Sequence, residues 1–454
     1  MARIWNRTGA RRVAICIASG LTLGLLILLL VAADLDDEPA IAVAAPQPPA
    51  IGRRVVLPPA PAVGRGEATG GPGRSGDGDG DGEEIEVCGL GFMPREEALA
   101  PAVARRMTEM DTRLREQVAT SLQQAAGVAS AVGIWLESAN AIERAMAPFA
   151  EREQACRQSA DCLDRLDRET EPAREQASRP LLDALARSAV ASTDPATYAV
   201  ALRACRHDSL GPGLPGQCRL LTVERWAQID PDNAVPWFHL LAEAMARHDD
   251  AAAEEALYRA STARSSRLYG DALLATAEPT LTVGFPGMDG VRAATEIVGI
   301  EQAWAFPDYD AVIEQLCSKA AVRDSNRRQT CDALATMLLD RGSTFVERGV
   351  ALRLGRQLGW DAARLETLAR ETDAILAATT DAMSGQDAEN VDCPSWQHRA
   401  EMATRRSRIG ELAMAREQLA RSGHSIDELA DRQARRRLAA DRAATASAPA
   451  SASS

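Results

Sequence analysis

The chain has 454 residues, a formal net charge of −13 and only 4% aromatic residues. The negative charge argues against nucleic acid as a partner, because surfaces that bind nucleic acid are basic. Alanine, leucine, arginine and glutamate are abundant, and these residues lose little on entering a helix. The composition therefore predicts an all-α fold. The length exceeds one ordinary core, which predicts several domains or a repeat array.

An uncharged segment lies near the N-terminus. Residues 13–33, VAICIASGLTLGLLILLLVAA, are long enough to cross a bilayer. Arginines precede this segment and acidic residues follow it, which predicts that residues 1–12 are cytoplasmic and that the rest is exported. A cleaved signal peptide is the alternative, because Val31-Ala32-Ala33 suits signal peptidase, but the length of the apolar run favours a retained anchor. The segment predicts a single-pass protein of the bacterial inner membrane with a periplasmic C-terminal domain.

The exported part begins with a segment of biased composition. Residues 34–83 are rich in proline, alanine and glycine, and such a sequence buries too little apolar surface to offset its chain entropy. We therefore expect a disordered linker there. A helical domain is predicted over residues 84–445, followed by a disordered tail over residues 446–454.

Eight cysteines follow the apolar segment, and an even number in an oxidising compartment predicts a disulfide framework. Spacing selects three local pairs and leaves a fourth by elimination: Cys156–Cys162, Cys205–Cys218, Cys317–Cys331 and Cys88–Cys393. Residues six apart in one helix are separated by ~9 Å, beyond the ~7 Å that a disulfide spans. The helix must therefore break between Cys156 and Cys162.

Helical segments are predicted from Pro94 onward, with a break at residues 280–290. Outside the hairpin described next, they span residues 98–124, 127–154, 180–191, 196–206, 220–229, 291–305, 310–320, 329–340, 344–358, 361–379, 395–421 and 426–443. Asp194-Pro195 and Asp230-Pro231 both have the pattern of a helix start, and they lie thirty-six residues apart. A recurrence of helical hairpins at 30–40 residues is typical of solenoids.

One of these units resembles a known family. Residues 229–262 carry an Asp-Pro linker and then apolar or small side chains at the spacing of one tetratricopeptide repeat: Trp237, Leu240, Ala253, Leu257 and Ala260. The resemblance implies two antiparallel helices, stacked with similar hairpins near residues 194–263 into an α-solenoid with a concave face. Leu241 departs from the pattern, since the family has a small residue there.

No strong catalytic or cofactor motif is present in the sequence. The five histidines (His207, His239, His248, His398 and His424) do not have the spacing of a metal site, and no CxxC pair supports zinc. An acidic DxDxDG stretch at residues 77–82 has a cysteine at position twelve, where calcium loops have a bidentate glutamate. The sequence therefore predicts neither a metal site nor a cofactor.

Two functions fit these features. The first, which we favour, is a non-enzymatic interaction or scaffolding module whose groove binds an envelope protein or peptide. The second is a peptidoglycan hydrolase, because Glu137-Ser138 resembles the catalytic Glu-Ser pair of lytic transglycosylases, in which the glutamate acts as a general acid. The glycine-rich segment that should follow this pair is absent, so Glu137 is a weak catalytic candidate.

Overall fold

The computed structural model describes residues 84–98, 100–156, 159–206, 216–302, 304, 306–384 and 392–447, and it confirms the all-α class. The helices are α1 (Arg95–Ala98), α2 (Pro101–Gln123), α3 (Gly127–Met146), α4 (Ala150–Cys156), α5 (Ala160–Ala191), α6 (Pro195–Cys205), α7 (Val223–Ile229), α8 (Ala234–Ala246), α9 (Asp250–Ser261), α10 (Leu273–Gly284), α11 (Met288–Gln302), α12 (Tyr309–Ala311), α13 (Ser325–Arg341), α14 (Phe345–Leu358), α15 (Ala362–Ser384), α16 (Cys393–Ile409), α17 (Glu411–Ser422) and α18 (Ile426–Ser447). Shorter 3-10 turns lie at Ala147–Phe149, Gly216–Leu220, Gly270–Ala272 and Ala321–Arg323, and a π-helical turn spans Val312–Leu316.

An antiparallel hairpin precedes the helices, and the sequence reasoning missed it. Its strands are β1 (Glu84–Val87) and β2 (Gly91–Pro94), with Ile85 opposite Met93. Side chains alternate along a strand, so one face presents apolar residues to Val103 and Met107 of α2. Two short strands on one helix give too little sequence signal to stand out in a helical chain.

Two large apolar cores lie side by side in the fold. The first core joins α2, α3, α5, α6, α7, α10 and α11, and it includes Leu122, Trp135, Leu185, Leu273 and Ile297. The second core joins α8, α9, α12, α13 and α14, and it includes Phe238, Leu257, Ile313, Leu334 and Leu354. Smaller clusters extend the second core to α15, α17 and α18. The pairs α8/α9 and α13/α14 pack against each other through α9 and α13, and α15 packs against α14, α17 and α18.

Local sequence explains several helix ends. The Asp194 carboxylate accepts hydrogen bonds from the amides of Ala196 and Thr197, so it caps α6 as the Asp-Pro pattern predicts. Thr344 and Glu347 form a reciprocal capping box at the start of α14. Gly359 ends that helix with a φ of 72°, a left-handed conformation that glycine adopts without strain.

Several helix boundaries differ from the sequence expectation. The break predicted at residues 280–290 is wrong for most of its length, because α10 continues through Pro279 to Gly284 and buries Ala277 and Leu281. The helix predicted at 180–191 begins much earlier, since α5 runs through Pro172 and Pro180. The helix predicted at 395–421 divides at Gly410, whose φ is 86°. In the first two cases, tertiary packing outweighs the tendency of proline to interrupt a helix.

Several expectations concern residues outside the described part of the chain. The cytoplasmic segment 1–12, the apolar segment 13–33 and the linker 34–83 all lie there, as do His207 and most of the predicted tail. Within the described residues, none of the helices combines the length and the apolar character that crossing a bilayer requires. Helix α18 extends to Ser447, slightly past the predicted end of the domain.

Candidate functional site

Four disulfides join the eight described cysteines, in the pairs named from the sequence. The three local bridges close turns, with Cα–Cα distances of 5.1 Å for Cys156–Cys162, 5.5 Å for Cys205–Cys218 and 5.8 Å for Cys317–Cys331. Ser159 breaks the helix between the first pair, and its hydroxyl accepts a hydrogen bond from the amide of Cys162. The local bridges thus lie where they support chain reversals.

The fourth bridge has a different role, because it joins residues 305 positions apart. Cys88 follows β1 and Cys393 begins α16, with a Cα–Cα distance of 4.7 Å. The amide of Cys393 also donates a hydrogen bond to Glu86 of β1, at 3.4 Å. The start of the described domain is therefore fixed to one of its last helices.

The residues that resemble a tetratricopeptide repeat form a helical hairpin, α8/α9. Leu257 and Ala260 are fully buried, Ala253 is nearly so, and Trp237 and Leu240 are half-buried against the second core. The next segment departs from a regular repeat: the amides of Arg264 and Ser265 both donate to the carbonyl of Asp232, before α8. The chain thus folds back on its own hairpin where a regular array would begin another helix.

Two tryptophan–arginine pairs lie at the edge of the second core. The Arg259 guanidinium lies over the Trp237 ring at 5.8 Å, and the Trp237 indole donates to the carbonyl of Pro231 at 3.1 Å. At the end of α14, Arg364 lies over Trp360 at 3.9 Å, and the Trp360 indole donates to Asp332 at 2.6 Å. Tryptophan and arginine supply much of the binding energy in protein interfaces. Sequence reasoning singled out Trp237 but missed Trp360, although the spacing from Trp360 to Arg364 was a usable signal.

Glu137, the catalytic candidate, lies midway along α3 in an ion-pair network. Its carboxylate accepts hydrogen bonds from Arg144 at 2.7 Å and from Asn140 at 3.3 Å. Arg144 also binds Glu116 of α2 at 2.9 Å, so these charges tie two helices together. Ser138, the other half of the proposed pair, is buried. A general acid must reach the substrate, and both carboxylate oxygens of Glu137 are already engaged by neighbouring side chains.

An open cleft of about 430 Å³ lies on α2, on the face that carries Arg105, Glu109 and Arg113. Glu137 is not among the residues that line this cleft. Most of the lining side chains are exposed, so the cleft does not provide the dry and enclosed environment in which acid catalysis is strongest.

His239 is the histidine with the most perturbed environment. It lies on α8 beside the Trp226 ring, at 5.8 Å between ring centroids. Burial, with a contribution from Arg206 and Arg203, lowers its pKa to about 4, so it is neutral at physiological pH. In the described part of the chain, no group of three histidine, cysteine or carboxylate side chains has the arrangement of a metal site.

Four carboxylates converge where the first core meets α14 and α17. They are Asp271, Glu301, Glu347 and Glu411, and burial raises the pKa of each of them. We call this group the carboxylate junction. Its residues come from distant parts of the chain, so no sequence spacing reveals the group, although the Thr344-x-x-Glu347 capping box was recognisable.

Comparison with known proteins finds no matching family model, no similar curated protein and no similar solved structure. The resemblance to tetratricopeptide repeats therefore rests on residues 229–262 alone and stays a prediction. Any function must be argued from the chain itself.

Proposed function

We propose that this protein is a non-enzymatic interaction or scaffolding module of the bacterial cell envelope. In this proposal residues 13–33 anchor it in the inner membrane, residues 34–83 act as a tether, and the helical domain binds an envelope protein or peptide in the periplasm. The observation that carries the proposal is the succession of helical pairs with two tryptophan–arginine pairs at the edge of the second core.

The surface chemistry supports a protein partner. Trp237 and Trp360 are half-buried, so each offers a rigid aromatic edge without exposing a large unsupported side chain. Arg259 and Arg364 are exposed; Arg259 donates one hydrogen bond to Glu255, and a guanidinium has further donors for a partner's carbonyl or carboxylate groups. The charge of Glu137 is committed to Arg144, so the best catalytic candidate supports the hydrolase alternative poorly.

The disulfides support the predicted compartment. Stable structural disulfides form in oxidising compartments such as the periplasm and are rare in the cytosol. Eight cysteines within bonding distance of one another in four pairs fit an exported domain.

Site-specific photo-crosslinking in living cells tests the proposal on the full chain. A crosslinking amino acid replaces Arg364 or Tyr258, both exposed near the second core, and as a matched control it replaces Arg152, exposed on α4. We expect a discrete protein adduct from the first two positions and none from the control. Trp360→Ala should abolish the adduct at position 258, while thermal melting verifies that the variant is folded.

Two results would count against the module. Equal adducts at all three positions would indicate non-specific contact. Cleavage of purified peptidoglycan by the wild-type chain, lost in Glu137→Gln, would establish the hydrolase instead.

A further inference from the structure

The carboxylate junction lies between structural units that otherwise have separate apolar cores. Asp271 precedes α10 and Glu301 ends α11, both helices of the first core. Glu347 lies in α14 and Glu411 begins α17, which pack in the second core and its extension. Contacts at this junction therefore contribute to how firmly the two units hold together, beside apolar contacts such as those of Leu240, which packs against both cores.

One side of the junction is a hydrogen-bond network around Glu301. This side chain accepts bonds from the amide of Leu274 at 2.9 Å, from the hydroxyl of Ser407 at 2.9 Å and from the guanidinium of Arg406 at 2.7 Å. Ser407 in turn accepts a bond from the amide of Ala275 at 2.8 Å. These bonds fix α16 to the start of α10 and the end of α11.

The other side continues to α14 and α17. Glu347 accepts bonds from the amides of Ser343 at 2.8 Å and Thr344 at 3.1 Å, and its second oxygen faces the hydroxyls of Ser266 and Tyr309. Across the boundary, the Ser343 hydroxyl lies 3.3 Å from the carboxylate of Asp271.

Glu411 completes this side of the junction, because it accepts a bond from the amide of Phe345 at 2.9 Å. The start of α14 is therefore held from both sides by carboxylates.

The positive charge at the junction is smaller than the negative charge. Arg406 attracts Asp271, Glu301 and Glu411, so one guanidinium serves three carboxylates, and Asp271 and Glu411 repel each other. The groups that face Glu347 are the hydroxyls and amides named above, with Tyr309 the titratable one. Asp271 and Glu411 are partly buried, and like charges gathered where water is partly excluded favour proton uptake.

We propose that the carboxylate junction is a pH-sensitive contact, which tightens between the two units when Asp271 and Glu411 take up protons and loosens when they are ionised. This inference is independent of the proposed function, because it concerns the domain's internal contacts.

The direction in which pH shifts this contact follows from the linkage between protonation and closure. A carboxyl whose pKa is raised in the closed state binds more protons there than in the open state. Closure is therefore favoured as pH falls from neutral toward the ordinary carboxyl values of 3.8 for Asp271 and 4.5 for Glu411. Each unit of pKa difference between the closed and open states makes the closing equilibrium about tenfold more favourable at the acidic end.

Amide hydrogen exchange on the full chain tests this directly, because the amides of Leu274, Ala275 and Phe345 donate to groups of the junction. After correction for intrinsic exchange chemistry, protection of peptides covering these amides should be greater at pH 5 than at pH 7.5. In the double variant Asp271→Asn, Glu411→Gln, the amides keep acceptor oxygens but these two positions cannot titrate, so the pH dependence should shrink to the part that belongs to Glu301 and Glu347.

Amides in the interior of α13 are the internal control of this experiment. They donate to carbonyls of their own helix, so their exchange should not depend on the junction. If the double variant does not fold, Glu411→Gln alone should remove part of the pH dependence at Phe345. Equal protection at both pH values, lower protection at pH 5, or an unchanged pH dependence in the variants would overturn the proposal.

Discussion

Two helical hairpins in this molecule are held together by different means. The α8/α9 hairpin packs Phe238, Leu257 and Ala260 into the second core, and no disulfide joins its helices. The pair α4/α5 at residues 150–178 has few buried apolar side chains among its described residues, chiefly Cys156 and Leu166. That pair has a disulfide at its tip and ion pairs along its side. In the α4/α5 pair, covalent closure therefore accompanies thin apolar burial, whereas the bridges Cys205–Cys218 and Cys317–Cys331 lie within the two cores.

The largest loss of stability should come from removing an apolar contact of the α8/α9 hairpin. Leu257→Ala deletes a fully buried side chain, so we expect the free energy of unfolding to fall by about 3 kcal/mol. Urea denaturation measures this loss. Tyr258→Ala, at the neighbouring exposed position, should change stability by no more than about 0.5 kcal/mol. A similar loss in both variants would mean that the hairpin does not depend on its apolar face.

The disulfide at the tip of α4/α5 should have the next largest effect. Replacing Cys156 and Cys162 by serine releases a short loop, which is expected to cost about 2 kcal/mol. Limited proteolysis should then cut residues 150–178 faster, while α8/α9 keeps its wild-type resistance. Unchanged cleavage of the pair would show that its ion pairs suffice without the bridge.

His239 on α8 should make the stability of the α8/α9 hairpin decrease in acid. Its pKa falls from 6.5 in the unfolded chain to about 4 in the fold, so the native state binds fewer protons. The contribution of the neutral His239 to the free energy of unfolding is therefore fully present above pH 6.5. It is lost as pH falls, by about 2 kcal/mol at pH 5. Denaturation of wild type and His239→Gln at pH 7.5 and pH 5 measures this contribution, and an identical pH response in the two proteins would contradict it.

This contribution from His239 opposes that of the carboxylate junction, which should gain stability in acid. Comparing each variant with wild type at each pH separates the two contributions. His239→Gln removes only the titration of the histidine, and the junction variant removes only the titrations of Asp271 and Glu411.

The smallest loss of stability should come from breaking an exposed ion pair of the α4/α5 pair. Arg152 binds Glu169 at 2.6 Å, linking α4 to α5, but both side chains are about half exposed. Water and salt screen such pairs, so Arg152→Ala should leave the denaturation midpoint within experimental error. A clear loss, especially one that high salt abolishes, would show that surface charge does hold this hairpin closed.

The sequence revealed features that depend on neighbouring residues. The Asp194-Pro195 helix start, the stop at Gly359 and the turn between Cys156 and Cys162 follow from local chemistry, so they were predictable. The three local cysteine pairs followed from spacing, and Cys88–Cys393 remained because the other six had been assigned.

Features that depend on distant residues were not predictable. The strands β1 and β2 are stable because α2 covers them, and Pro279 lies inside α10 because the residues around it are buried in the first core. The carboxylate junction brings Asp271 close to Ser343, seventy-two positions away. No local pattern encodes such contacts.

The bridge between Cys88 and Cys393 also determines how the domain would carry mechanical load. A pull from the N-terminal side reaches Cys88 soon after Glu84 and passes through the bridge into α16. The chain between the two cysteines, which lie 305 positions apart, contains the first and second cores and lies outside this direct path. Tension on the N-terminal side would therefore bypass the backbone of β2, α2 and the helices that follow them, and would reach the first core through the contacts of α16 with α10 and α11.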